Sequence, residues 1–364
     1  MTRSLICLLC TLILNFNAFS KDDFFVFLPE SDKKQLVHLR VKVEGGNAAF
    51  VREGAVGLPF APSGTAFDSK KERLIVSGRS GDGTAAATVE VGPKGEIELL
   101  GTKTLPHPSG YTSVDRTDRF FLTVNYRSGE LATYRIGDDG LVGEKTFYDK
   151  VPNKEAHCIL PTLDNRYVYI PCVKLNNALF QFSFDDESGE LKPLTPFNAN
   201  PPALFGPRHV AYHPSLPIAY FSNEQHLGVS VYEIADDGQL NDLQFATSRP
   251  RQIPYSKSEK SVNASDIAIS PDGQWIFVAN RDPEGLEDCV FAFSIGEDGR
   301  LTLRSRTNVG QIPWAIDVSP KSTHLVVSES GEQKLSVFEI KSDGSLELED
   351  TIATAGRVRD FDLR

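Results

Sequence analysis

After the first twenty residues, apolar and polar positions alternate in short runs, which is typical of β-strands and not of helices. Seven segments share one layout: an alternating run, an acidic or polar pair, a glycine and a second alternating run, as in "TYRIGDDGLVG" and "VFEIKSDGSLEL". Alternation on both sides of an Asp-Gly-type turn predicts a β-hairpin. The turn glycines are Gly46, Gly95, Gly140, Gly189, Gly238, Gly299 and Gly344, mostly 45 to 50 residues apart, with one interval of 61.

A second recurring element precedes most of the hairpins. It consists of a short strand, a polar turn and a strand rich in aromatic and β-branched residues, as in "AISPDGQWIFVAN". Together with the hairpin it makes a unit of four strands. A four-stranded unit that repeats at this interval indicates a β-propeller.

The two ends of the chain complement each other. The segment "DDFFVFLPES" begins at a second strand, whereas "RVRDFDLR" ends the chain as an isolated first strand, in which "FDL" matches the "IDV" of Ile316–Val318. A blade built from both termini closes the ring and removes free sheet edges. We therefore predict an all-β fold, a seven-bladed propeller of four-stranded antiparallel blades, as one domain over residues 21–364.

Residues 1–20 differ from the rest of the chain. Arg3 is followed by an apolar run from Leu5 to Leu14 and then by the small residues Ala18 and Ser20, which is the layout of a secretory signal peptide. The apolar run is too short for the roughly 20 residues that span a bilayer. The pattern predicts cleavage near Ser20, export to the periplasm or beyond, and no membrane span.

Composition excludes some classes of function. The 364 residues are 40% hydrophobic and 24% charged, which is enough apolar surface for a packed core without metals or disulfides. The chain has 38 Lys and Arg against 49 Asp and Glu, with no basic cluster. Since nucleic acids need a basic face, this argues against nucleic acid as a partner. The sequence does not predict an oligomeric state.

No cofactor or metal is predicted. Past the signal segment, Cys158, Cys172 and Cys289 remain, and their spacing is that of neither a zinc site nor a disulfide framework. Three buried thiols are the first interpretation, and a single Cys158–Cys172 bridge is the alternative. The acidic stretches "GDGT" and "DPEGLED" lack the full spacing of a calcium-binding loop.

Several stretches are similar to a known family. "GPRHVAYHP", "YFSNEQHLGVSVYEI" and "ASDIAISPDGQWIFVANR" resemble the seven-bladed β-propeller lactonases, which include one type of 6-phosphogluconolactonase and the fungal carboxy-muconate lactonizing enzymes. The resemblance covers the whole chain after residue 20 and is sharpest in its second half. It implies a carboxylic ester hydrolase that opens a sugar lactone.

The resemblance also implies a site. His157, Arg208, Glu224 and Arg281 match the active-site residues proposed for the family, and in a propeller they lie in loops or strand ends of one rim. Further rim-facing candidates for substrate contact are Lys174, Asn125, Tyr126, Asn280, Asp266 and Arg79. His209 follows Arg208, and strand alternation predicts that it points to the opposite side, as a packing residue.

These residue types suit lactone opening, which needs a base, an acid for the leaving alkoxide, and positive charge near the carbonyl oxygen. We expect His157 or Glu224 to be the general base. Arg208 and Arg281 are expected to hold a carboxylate or phosphate and to stabilise the oxyanion. Arg208→Ala is predicted to cost activity without unfolding the protein.

Two features bear on the substrate. Trp314 stands where the family often has an arginine, which removes a positive charge and counts against a doubly anionic substrate. Export also favours an unphosphorylated sugar lactone or another cyclic ester over an intracellular phosphorylated lactone. Two alternatives stay open: a carboxy-muconate-type lactonizing isomerase, and a non-catalytic propeller that binds a glycan or a protein.

Overall fold

The structure, a computed structural model, describes residues 20–81, 83–249 and 261–364. The predicted signal segment, as far as residue 19, lies outside the described residues. Within them, 28 strands form seven four-stranded sheets arranged in a ring. The predicted seven-bladed all-β propeller is confirmed. Two short 3₁₀ helices, Ser31–Lys33 and Lys174–Asn176, complete the described elements, and no helix in this part is long and apolar enough to cross a membrane.

Six blades are formed by consecutive strands, ordered from the channel outward. Blade 1 comprises β4 (Ala61–Phe67), β5 (Arg73–Ser80), β6 (Gly83–Val91) and β7 (Ile97–Leu105), and blade 2 comprises β8 (Tyr111–Val114), β9 (Phe120–Val124), β10 (Glu130–Ile136) and β11 (Val142–Lys150). Blade 3 comprises β12 (Leu160–Pro161), β13 (Tyr167–Cys172), β14 (Ala178–Asp185) and β15 (Glu190–Asn198), and blade 4 comprises β16 (Pro207–Tyr212), β17 (Ile218–Asn223), β18 (Gly228–Ile234) and β19 (Leu240–Thr247). Blade 5 comprises β20 (Asn263–Ile269), β21 (Trp275–Arg281), β22 (Cys289–Ile295) and β23 (Leu301–Asn308), and blade 6 comprises β24 (Pro313–Val318), β25 (His324–Glu329), β26 (Lys334–Ile340) and β27 (Leu346–Ala353).

The seventh blade joins the two ends of the chain, as predicted. Its strands are β28 (Asp362–Leu363), β1 (Phe24–Glu30), β2 (Gln35–Glu44) and β3 (Asn47–Gly57). β28 is the innermost strand and pairs antiparallel with β1, with Val26 opposite Leu363. Phe25 and Arg364 each donate a backbone hydrogen bond to the other's carbonyl, which joins the two ends of the chain.

The apolar core lies between neighbouring blades. The second strand of each blade packs against both neighbouring blades. It is therefore buried on both faces, as in β9 and β17. The seven turn glycines all have φ between 77° and 87°, which favours glycine. Some also allow close packing, since a Cβ at Gly238 would collide with the ring of Tyr167 in the preceding blade. Cys158, Cys172 and Cys289 are free and buried, which confirms the first interpretation.

Acidic side chains on two innermost strands make stability depend on pH. Burial raises the pKa of Asp317 to about 7, with Lys71 opposing the shift and Asp362 and Asp266 adding to it. Burial likewise raises the pKa of Asp362. Because the ordinary value is 3.8, the stability due to Asp317 is fully present below about pH 4 and is lost as pH rises through 7.

We expect Asp317→Asn to remove this penalty. The variant should unfold at higher temperature than the parent at pH 8, with a gain of about 1–2 kcal/mol once partial solvent contact is allowed for. The gain should be smaller at pH 5. Thermal unfolding at the two pH values measures it, and equal gains at both would contradict the assignment to this carboxyl.

Candidate active site

Bulges in three innermost strands place the polar side chains at the channel. In β16 the register shifts between Pro207 and Val210, in β20 between Ala264 and Ile267, and in β24 between Pro313 and Ile316. Two residues then oppose one on the next strand, so alternation is interrupted. The paired positions are Arg208 with His209, Ser265 with Asp266, and Trp314 with Ala315.

Three of the blades meet in a chain of hydrogen-bonding groups. Nδ1 of His209 lies 2.7 Å from Oδ1 of Asp266, and Nε2 of His209 lies 3.0 Å from Nδ1 of His157. If His209 carries its proton on Nδ1 and donates it to Asp266, then Nε2 accepts the Nδ1–H of His157. The remaining lone pair of His157, on Nε2, is then available to take a proton.

Electrostatics keep both imidazoles neutral at neutral pH. Burial lowers the pKa of His157 well below its usual 6.5, and Arg208 and His209 lower it further. Burial and Arg208 also lower the pKa of His209, although Asp266 opposes the shift. Burial alone would raise the pKa of Asp266, but the contact with His209 brings it below the ordinary value. A charged carboxylate thus contacts one neutral imidazole, that of His209, which in turn contacts a second, that of His157.

Arg208 and Glu224 form a buried ion pair beside the hydrogen-bonded residues Asp266, His209 and His157. Nε of Arg208 lies 3.2 Å from Oε2 of Glu224, and Nη2 of Arg281 lies 3.7 Å from Oε1. Arg208 is 0% exposed, and its Nη1 donates to the carbonyl of Ser265. Burial and Arg281 lower the pKa of Arg208 to about 10, so it stays charged at neutral pH.

Gly206, the glycine of "GPRH", leaves room for the side chain that hydrogen-bonds Glu224. Gly206 has φ +62°, and a Cβ there would collide with the amide of Gln225. That amide accepts the backbone N–H of Lys174 at 2.7 Å and donates to Oε1 of Glu224 at 3.1 Å. Gly206 therefore allows Gln225 to link blade 3 to Glu224.

Comparison with known proteins identifies the family. The family described as Lactonase, 7-bladed beta-propeller, matches residues 29–359. This chain belongs to the seven-bladed β-propeller lactonase family. A 6-phosphogluconolactonase of Cronobacter sakazakii is 27% identical over 255 residues, which cover 69% of this chain and 72% of that protein. One from Yersinia pestis is 25% identical over 324 residues, covering 88% and 91%.

A solved structure shares the lactonase fold throughout. The periplasmic gluconolactonase of Pseudomonas aeruginosa matches with a TM-score of 0.81 over 94% of this chain and 98% of its own, at 20% identity. At that identity the likeness shows the fold.

His209 corrects the sequence interpretation of this lactonase. Alternation assigned it to packing on the far side of the strand from Arg208, but it contacts both His157 and Asp266. The β16 bulge is the reason, since it turns consecutive residues to the same region. The stretch "GPRHVAYHP" carries no signal of the bulge by itself, because the bulge exists only in the pairing of β16 with β17.

The other predicted residues of the lactonase site divide into two groups. Asp266 joins the imidazole chain, and Lys174 lies over the ring of Tyr126, whose edge meets His157. The side-chain amide of Asn125 donates a hydrogen bond to the carboxylate of Glu130, and that of Asn280 donates to the backbone carbonyl of Ser248.

Arg79 lies apart from both groups. It is exposed, and its Nε donates to the carbonyl of Gly81, two residues along the chain. Across the described ranges, no three His, Cys, Asp or Glu side chains lie close enough together to hold a metal ion.

Proposed function

We propose that this chain hydrolyses the ring ester of a sugar lactone at the channel mouth where His157 and Arg281 lie. The observation that carries the proposal is the Asp266–His209–His157 chain beside two arginines. It supplies a neutral base and positive charge in one place, as ester hydrolysis requires. The names of the relatives, 6-phosphogluconolactonase and periplasmic gluconolactonase, support the substrate class.

His157 serves as the general base. Its Nε2 takes a proton from water as the water oxygen bonds to the lactone carbonyl carbon. The ring C–O bond then breaks, and the imidazolium returns the proton to the leaving alkoxide, so that the product is the hydroxy acid. Asp266 acts through His209 by holding its tautomer and is a positioning residue.

The two arginines take different roles. Arg281 is 9% exposed, whereas Arg208 has no exposed surface. Arg281 therefore faces the substrate and stabilises the oxyanion. Arg208 anchors Glu224 and lowers the pKa of His157. Glu224 has both oxygens engaged by its neighbours, and we assign it to positioning the arginines and not to proton transfer.

Export is part of the proposal. Cleavage of residues 1–20 leaves the propeller of residues 21–364, and an exported enzyme meets lactones outside the cytoplasm. Mass spectrometry of protein recovered from the periplasm or medium of an expressing bacterium tests it. An N-terminus at residue 1 or 2 would contradict cleavage.

A panel of lactones tests the activity. Purified protein starting at Lys21 is expected to release acid from at least one sugar lactone, detected with a pH indicator above the spontaneous rate, and His157→Gln should lower that rate by at least about 10²-fold. Carboxy-muconate is included with detection by absorbance. Turnover of muconate alone would favour the isomerase, and no acid release from any lactone would contradict the proposed function.

A further inference from the structure

A small cavity lies one blade beyond Arg281. Its lining residues are Ile312, Trp314, Ser330, Gly331, Arg357 and Arg359. Val327 opposes Ile316 in blade 6 as Val278 opposes Ile267 in blade 5. By this register Ser330 corresponds to Arg281, so the cavity opens on the same mouth as the candidate active site.

Ser330 is an unusual side chain at this place. It is 1% exposed, and its Oγ has no hydrogen-bond partner in the described part of the chain. Its backbone N–H is satisfied by the carbonyl of Ile312 at 3.1 Å. A buried hydroxyl without a partner costs roughly 1–3 kcal/mol. An acceptor supplied by a ligand would recover that cost.

The cavity is bordered by positive charge. The guanidinium carbons of Arg281, Arg359 and Arg208 lie 4.1, 4.6 and 5.8 Å from the centre of the Trp314 ring. Among the described residues, neither Arg357 nor Arg359 has an ion pair with an acidic side chain.

Acidic residues adjacent in sequence to the lining residues are engaged elsewhere. Glu329 and Glu332 both pair with Lys334, at 3.2 and 2.6 Å. Oδ2 of Asp360, the neighbour of Arg359, accepts the backbone N–H of Thr65 at 2.8 Å. The guanidinium charge of Arg359 is therefore left for a ligand.

We infer that this cavity is a subsite for an anionic group, a carboxylate or a phosphate, carried by the substrate away from its ester. Arg359 and Arg357 supply the charge, and Ser330 Oγ donates a hydrogen bond. The Trp314 ring orients Arg359 and Arg281 by stacking. Arg359 thereby restores, from the C-terminal segment, the positive charge that Trp314 was expected to remove. The inference rests on the proposed lactonase function.

Three lactones of matched ring chemistry test the subsite: one neutral, one with a distal carboxylate, one with a distal phosphate. Arg359→Ala should lower kcat/KM for the anionic lactone that the enzyme prefers by about 10- to 100-fold, the range of a lost charged hydrogen bond. The neutral lactone should change less than about twofold. Arg359→Lys should recover part of the loss, since it keeps the charge without the planar fork.

Arg300→Ala is the matched control, because Arg300 is an exposed arginine paired with Asp298 on an outer hairpin. It should leave all three rates unchanged. Equal effects of Arg359→Ala on the neutral and anionic lactones, or no effect, would overturn the subsite. Whichever anionic lactone responds identifies the group as carboxylate or phosphate.

Binding of the open-chain acids separates this inference from the proposed hydrolysis. Calorimetry measures binding of the three hydrolysis products and needs no turnover. These are the sugar acid without a second charged group, the acid with a distal carboxylate and the acid with a distal phosphate. Tighter binding of a doubly anionic acid, weakened about tenfold or more by Arg359→Ala, supports the subsite even if no lactone is hydrolysed. Equal binding of all three acids to the unaltered protein would reject it.

Discussion

His157→Gln is expected to lower kcat/KM on the lactone found in the panel by about 10²- to 10⁴-fold, the usual contribution of a general base. Glutamine keeps a polar group of similar size at the His209 contact but takes no proton. The unaltered enzyme should show a flat kcat/KM at neutral pH. Because only the neutral base works and burial and Arg208 hold its pKa below 6.5, activity should fall only on the acid side.

Asp266→Asn tests whether the hydrogen bonds from Asp266 through His209 to His157 support catalysis. The amide no longer fixes the Nδ1–H tautomer of His209, so kcat should drop by about tenfold or more while KM changes little. An effect on KM alone would assign Asp266 to substrate contact, as the sequence first suggested. Full activity in His157→Gln would remove His157 from the mechanism.

Arg208→Met is expected to destabilise the fold and to alter the pH profile. It leaves Glu224, 2% exposed, without its closest cation, and breaking a buried pair costs about 3–5 kcal/mol. The expectation that Arg208→Ala costs activity without unfolding the protein did not include this loss of stability. Removal of the positive neighbour should also raise the pKa of His157, so the acid limb of kcat/KM moves to higher pH.

The double variant Arg208→Met/Glu224→Gln separates the two effects. With both charges removed, most of the lost stability should return, as measured by denaturant unfolding. The acid limb should remain shifted, because the cation is still absent. A double variant with the original pH profile would show that Arg208 serves the fold alone.

The architecture was predictable because short sequence patterns specify its strands and turns. Strand alternation and the turn glycines are each visible within a few residues. The split seventh blade follows from matching the two ends of the chain, and Val26 does pair with Leu363. The residue types at the mouth were also predictable through the resemblance, including His157 and Arg281. Nothing local revealed that Arg208 is wholly buried, since burial depends on neighbouring blades.

The sequence by itself determined the seven-bladed ring and the set of polar side chains near its mouth, because a period of repeated strands has one economical way to close. Only the tertiary structure decided their roles. The bulge in β16 turned His209 toward Asp266 and His157, residues more than fifty positions away in the chain. Ring closure likewise carried Arg359 to Trp314. Both outcomes depend on contacts between blades, for which a single strand's alternation holds no information.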